Sequence, residues 1–277
     1  MNPPEDIRPR PPQMGTNTTE NHQTEPAAGK LEGPVAARWD DLLLHLQQIA
    51  DTHPDALLAS SMGVEDTLLI HGLMQLPHRL GVFMLDTGKL HAETLAMVDT
   101  LQARYGLQVQ VMHPQPAAVQ TYVDQHGEYA FYESAALRKE CCAIRKVEPL
   151  RRAIAGHSAW ITGQRREQSI TRVDLPESQW DEANGLQKFN PLASWTTEEV
   201  WAVVRALGVP YNPLHDRGYP SIGCECCTRA VRPGEDPRAG RWWWEQRQSR
   251  ECGLHVAPEG ADHTPTVVPR FSTHLSE

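Results

Sequence analysis

No run of about 18 apolar residues occurs anywhere in this chain, so no segment reads as a membrane span. Its amino terminus, MNPPEDIRPRPPQMG, has neither the basic start nor the apolar centre of a secretory leader, which leads us to expect a cytoplasmic protein. No Gly-Lys-Ser/Thr follows the one glycine turn that could hold phosphate, which excludes a Walker-type loop. Net positive charge is also missing. The formal charge is −9 over 277 residues, which argues against non-specific nucleic-acid binding. It leaves room for a small anionic substrate, because local basic groups can outweigh a distant acidic surface. There is no internal repeat.

What the chain does have is cysteine in a pattern. Five of six cysteines fall into two tight clusters, Cys141-Cys142 in RKECCAIRKVEPL and Cys224, Cys226 and Cys227 in IGCECCTRAV, while Cys252 stands alone in RECGLH. In a reducing compartment clustered cysteines favour metal over disulfides. The C-x2-C spacing of Cys224 and Cys227 suits zinc or an iron–sulfur cluster. The adjacent pair is unusual for zinc. Inert cysteines packed as small hydrophobes are the alternative. Against it, Arg138, Lys139, Glu140, Arg145 and Lys146 surround the first pair and make a purely apolar setting a poor fit. Cys226 is surplus, and spacing leaves it open as free thiol or ligand.

The 40% hydrophobic content supports a packed core. Residues 1–33 are rich in Pro, Thr, Asn, Gln and Glu and read as a disordered tail. The stretch 258–277 reads as a loose C-terminal tail. Between them helix and strand patterns alternate. VAARWDDLLLHLQQIAD has Leu42, Leu43, Leu46 and Ile49 at helical spacing. ALLASS, GVFMLDTG, LQVQVMH and SAWITG read as strands, and GVEDTLLIHGLMQL, HAETLAMVDTLQARYG and TTEEVWAVVRALG as helices. This alternation predicts an α/β fold, a parallel sheet with helices on both faces. Residues 34–235 would form that domain, and 236–257 a C-terminal arm.

Ligands of such sheets sit at the carboxyl ends of strands. The polar turns SSMGVED, LDTGKL and TGQRREQSITR all fall there. Free N–H groups at a helix start suit phosphate, although so short a turn is by itself ordinary. Arg165, Arg166 and Arg172 could pair with surface carboxylates, yet their position raises the odds that one or two face a phosphate. In PRAGRWWWEQRQSRECGLH, Arg238 and Arg241 precede three tryptophans, Cys252 and His255. A solvated charged helix with an apolar anchor is the plain reading. Arginines beside an isolated cysteine are also the setting that lowers a thiol pKa. The tryptophans read as core and hinge anchors rather than a ligand stack.

Taken together, CC with RKVEPL, IGCECCTRAV, RAGRWWWE and ECGLH closely resemble the assimilatory sulfonucleotide reductases, over about residues 40–256. Within that family the chain is similar to the iron–sulfur adenylylsulfate (APS) reductases of bacteria and plants. The resemblance implies an adenine nucleotide α-hydrolase-like fold, with SSMGVED as a remodelled pyrophosphate loop. It implies Ser61, Gly63 and Asp66 near the nucleotide, a backbone contact from Leu85 to adenine, and Gly163 and Arg166 lining the same cleft. Cys141, Cys142, Cys224 and Cys227 would hold a 4Fe-4S cluster. Lys146, Arg238, Arg241 and His255 would bind the phosphosulfate end, and Cys252 would be the catalytic nucleophile. Relatives without the cysteine pairs mainly use the 3′-phosphorylated substrate, PAPS, so the pairs favour APS. Cys226 departs from the family pattern, which has Pro there.

The implied reaction reduces adenosine 5′-phosphosulfate to sulfite and AMP through an S-sulfocysteine, within sulfate assimilation and cysteine biosynthesis. Its second step needs an external dithiol, thioredoxin or a glutaredoxin-like donor. Oligomeric state is open, a homo-oligomer included. A tRNA-thiolating iron–sulfur enzyme of related fold is the competing class, but it would need Ser-Gly-Gly-x-Asp-Ser where this chain has Ser-Ser-Met-Gly-Val-Glu-Asp.

Overall fold

The computed structural model describes residues 29–245. Cys252, His255, the expected tail at 258–277 and residues 1–28 lie outside them. Gly29 N–H donates to Ala206 O at 2.6 Å, and Leu31 packs on the core, so the end of the expected N-terminal tail is seated on the body.

The first helix, α1 (Gly33–Thr52), buries Trp39, Leu42, Leu46, Ile49 and Ala50, a stripe at helical spacing. The chain then runs β1 (Leu57–Ser60), α2 (Val64–Leu73), β2 (Gly81–Leu85), α3 (Ala92–Tyr105) and β3 (Val109–Met112). Three helices follow: α4 (Pro116–His126), α5 (Ala135–Cys142) and α6 (Glu148–Ile154). Next come β4 (Ala159–Ile161), β5 (Ser178–Asp181), β6 (Leu186–Phe189) and α7 (Thr197–Ala206). Thr196 and Glu199 close α7 with a reciprocal capping box.

The six strands lie in the order β3-β2-β1-β4-β6-β5, all parallel except β5, which pairs antiparallel with β6. Successive strand residues point to opposite faces. Leu58, Val82, Met84, Ala159 and Ile161 therefore join one core with α1, α2, α3 and α7, while Leu57, Phe83 and Trp160 join a second under α6. Helices on both faces of a mostly parallel sheet match the expected fold class.

The sequence reading missed two features. The β5–β6 hairpin was one. SQWD shows no clean alternation, and in LQKF a lysine takes an inward position, since Lys188 is buried. Its ammonium donates to Gln164 Oε1 at 2.7 Å, and burial lowers its pKa to about 8. The α4–α6 region was the other. There α5 runs into α6 through a π-helical turn, Ala143–Val147, where Glu148 N–H reaches back to Ala143 O. Pro149, lacking an N–H, cannot continue the ordinary i−4 ladder. Such turns often sit at functional sites.

Strand order reverses at β1 and β4: β2 lies on one side of β1 and β4 on the other. The crevice outside the carboxyl ends of these strands is where doubly wound sheets bind ligands.

Candidate active site

A cleft of about 500 Å³ opens at that point. On one wall, β1 ends in Ser60-Ser61 and α2 starts after Gly63. Met62 takes a left-handed backbone (φ 60°) while fully buried, a strained conformation that packing must hold. Asp66 pulls the turn closed: its Oδ2 accepts from Ser61 N–H at 2.6 Å and from Ser61 Oγ–H at 2.7 Å. Burial raises the Asp66 carboxyl to about 6 despite these bonds. His215 secures the helix start, with Nε2 accepting from Val64 N–H at 3.1 Å, and burial lowers its pKa so that the acceptor form persists.

The opposite wall follows β4. Gly163 passes so close that a Cβ there would overlap Asp66 Oδ1, so any side chain at this position forces Asp66 to shift. Arg165 gives Nε and Nη2 to Glu65 Oε1 (3.0 and 2.7 Å) and Nη1 to Glu167 Oε2 (3.0 Å), which binds this loop to α2. Arg172 lines the cleft and donates to Gln168 Oε1 at 2.7 Å. Arg166 is exposed, donates to Leu175 O at 2.8 Å, and stands outside the cleft lining. The cleft instead gathers Ser61, Gly63, Asp66, Leu85, Lys146, Gly163, Arg238 and Arg241 from widely separated segments. Arg241 is buried and donates Nη1 to Ile222 O at 2.8 Å. Its guanidinium lies where a side chain on Gly223 would be, so the glycine before Cys224 makes its path.

A second, small cavity adjoins the cleft. Cys141, Cys142, Cys224, Cys226 and Cys227 all line it, and no described cysteine is in a disulfide. The loop after β2 is bonded to the segment that bears the second cluster. Glu225 N–H donates to Lys89 O at 2.8 Å, and Leu90 bridges to Cys224. Thr87 Oγ1 lies 3.2 Å from Cys224 Sγ, and Arg145 Nη1 donates to Thr87 O at 2.8 Å. Lys146, on the π turn, and Trp242 line both cavities. Burial, together with charge on Cys224 and Cys227, pushes the Cys141 thiol up to about 11, although Arg145 opposes this. Cys227 is raised further, first by its contact with Cys226 Sγ at 3.8 Å and then by burial. Thiolates crowded this closely repel one another, and a cationic metal core relieves that repulsion. Among the described residues no three His, Cys, Asp or Glu donors are disposed around a single ion. A polynuclear cluster spreads its thiolates wider than one ion does, and cysteines converging on one cavity from two distant segments are donors of the kind it takes.

Sequence reasoning did not single out Thr87, His215 or the wall shared by the two cavities. Thr87 sits in the LDTGKL turn with nothing in its neighbours to mark it, and nothing near His215 in sequence marks its contact with Val64.

A family profile of the phosphoadenosine phosphosulfate reductase domain matches residues 55–230. An adenosine 5′-phosphosulfate reductase of Burkholderia cepacia is 56% identical over 229 residues, covering 83% of this chain and 92% of the relative. One of Allochromatium vinosum is 48% identical over 231 residues, covering 83% and 90%. Among solved structures, a phosphoadenylyl-sulfate reductase of Candida auris, crystallised as a phosphate complex, superposes with a TM-score of 0.59 at 23% identity. It covers 73% of this chain and all of its own, and shares the fold. No helix among the described residues is long and apolar enough to cross a membrane. On the extent of the profile match and of these identities, the chain belongs to the phosphoadenosine phosphosulfate reductase domain family.

Proposed function

We propose that this chain reduces adenosine 5′-phosphosulfate to sulfite and AMP, with Cys252 as the nucleophile and a dithiol protein, thioredoxin or glutaredoxin-like, as reductant. The observation that carries this reading is the shared wall. A nucleotide-sized cleft edged by Lys146, Arg238 and Arg241 backs directly onto a cavity lined by the paired cysteines. The names of the relatives favour APS over its 3′-phosphorylated form.

Each residue has a physical part. The Ser61–Asp66 turn and Gly163 shape the nucleotide end, and Leu85 offers its backbone to adenine. Lys146, Arg238 and Arg241, with His255, offset the negative charge that would repel an anionic attacking thiolate. The Cys252 thiolate attacks the substrate sulfur: an S–S bond forms, the bond from sulfur to the bridging oxygen breaks, and AMP leaves with the electron pair. A donor thiolate then attacks Cys252 Sγ, and sulfite departs with the pair of the broken S–S bond. The second donor thiol closes the donor disulfide and returns Cys252 as a thiol. The donor loses two electrons and the transferred sulfur gains them.

Cys141, Cys142, Cys224 and Cys227 would hold a 4Fe-4S cluster. Its role would be to stiffen this wall, since thiol exchange accounts for both electrons. Reduced enzyme incubated with APS and no thioredoxin should release about one AMP per active site, and the digest should carry an added SO₃ on the Cys252 peptide. Sulfite formation by Cys252→Ser at the parent rate would overturn the mechanism. A higher kcat/KM for the 3′-phosphorylated substrate would overturn the choice of APS.

A further inference from the structure

We infer that Arg138 and Glu245 form a positioning clamp that fixes the root of the segment carrying Cys252 to the helix carrying Cys141 and Cys142. The inference rests on the proposed role of Cys252.

Arg138 is on α5, just before the cysteine pair, and is completely buried. Its Nε and Nη2 donate to Glu245 Oε1 and Oε2, each at 2.8 Å, a two-pronged pair with side chains 1% and 5% exposed. The same guanidinium hydrogen-bonds the Cys142 sulfur and lines the cysteine cavity. One buried cation therefore touches a paired cysteine on one side and Glu245 on the other.

The backbone between these points is held as well. Trp242 N–H donates to Cys227 O at 3.1 Å, and Thr228 bridges to Arg241. Trp242 has a left-handed backbone (φ 42°), unusual for a side chain of its size. Its ring lies 4.6 Å from the Arg138 guanidinium carbon and 4.7 Å from that of Arg241. Two cations and one carboxylate thus hold a turn the backbone would not choose alone. An ion pair this buried is weak evidence for stability, because desolvation offsets its attraction. Holding Glu245, seven residues before Cys252 in the sequence, against the cysteine-bearing helix gives it a reason to be there.

Three proteins test the clamp: the parent, Glu245→Gln, and the double variant Arg138→Leu/Glu245→Leu. The double variant guards against misfolding, since apolar replacement of a whole buried pair is often tolerated. Iron content, melting temperature, the Kd for AMP and single-turnover AMP release from APS are measured for each. Both variants should release AMP at least tenfold more slowly, with AMP affinity within twofold of the parent. The double variant should also match the parent in iron and melting temperature. A double variant restored in stability and in AMP release alike would make the pair merely structural and overturn the clamp. So would Glu245→Gln at the parent's rate. If the double variant loses iron or fails to fold, Glu245→Gln decides by the same AMP-release criterion. If the parent itself releases no AMP and forms no adduct at Cys252, the mechanism above fails and takes the clamp with it.

Discussion

Gly163→Ala tests how closely the two walls of the cleft must approach. A Cβ at Gly163 overlaps Asp66 Oδ1 and lies 3.0 Å from Glu65 Cβ and 3.3 Å from Asp66 N. The start of α2 cannot retreat easily, because Glu65 is tied to Arg165 at 2.7 Å. The Asp66 side chain must swing away and release its bonds from Ser61 at 2.6 and 2.7 Å. Hydrogen bonds to a charged group are worth about 1.5–3 kcal/mol each, and overpacking costs about 1–3 kcal/mol. Ser61 is exposed and can turn to water, so the lower ends apply. We expect a loss of about 4 kcal/mol, or about 8–16 °C in melting temperature for a domain of this size. The displaced turn should also weaken AMP binding by about tenfold or more, equivalent to about 1.4 kcal/mol. Thermal melts and equilibrium titration with AMP measure both effects. Repeating Gly163→Ala in an Asp66→Ala background isolates the cause, since residues in contact are not additive. Most of the stability penalty should then vanish. If it persists at full size, the collision with Asp66 is not what excludes a side chain at this position.

Three further outcomes follow from the same geometry. The folded-state carboxyl of Asp66, raised to about 6 from 3.8, favours the native state at low pH, and that contribution is lost as pH rises through about 6. Urea midpoints at pH 4.5 and 7 should therefore fall further for the parent than for Asp66→Asn, and equal falls would contradict the raised carboxyl. Cys224→Ser should lose iron and sulfite formation together while Cys226→Ser stays near the parent; iron retained in Cys224→Ser would remove it from the ligand set. Arg238→Ala and Arg241→Ala should each keep iron and slow AMP release by about tenfold to a hundredfold, as for lost charge stabilisation, and an unchanged rate would show that the anion sits elsewhere.

Local pattern was enough to read the central sheet. Leu42, Leu46 and Ile49 recur at helical period, β1, β2 and β4 are short, largely apolar runs, and Gly106 ends α3. These signals are carried by neighbours in sequence, so no long-range contact is needed to see them. The paired cysteines, SSMGVED and the arginines before the tryptophans are visible there by type and spacing, while the roles expected of them come from the family resemblance. Other features depend on partners far away in the chain. Lys188 can occupy an inward strand position because Gln164 reaches it, and Arg165 pairs with Glu65 because the β4 loop closes over α2. Arg166 turns outward to Leu175 O although its neighbours line the cleft. The π turn that places Lys146 between the two cavities, the passage of Arg241 over Gly223 and the Arg138–Glu245 pair all need elements distant in sequence to be packed first. Residue type told which groups could do the chemistry; only packing decided which of them face the cleft, because a side chain's direction follows from the backbone and the neighbours that leave it room.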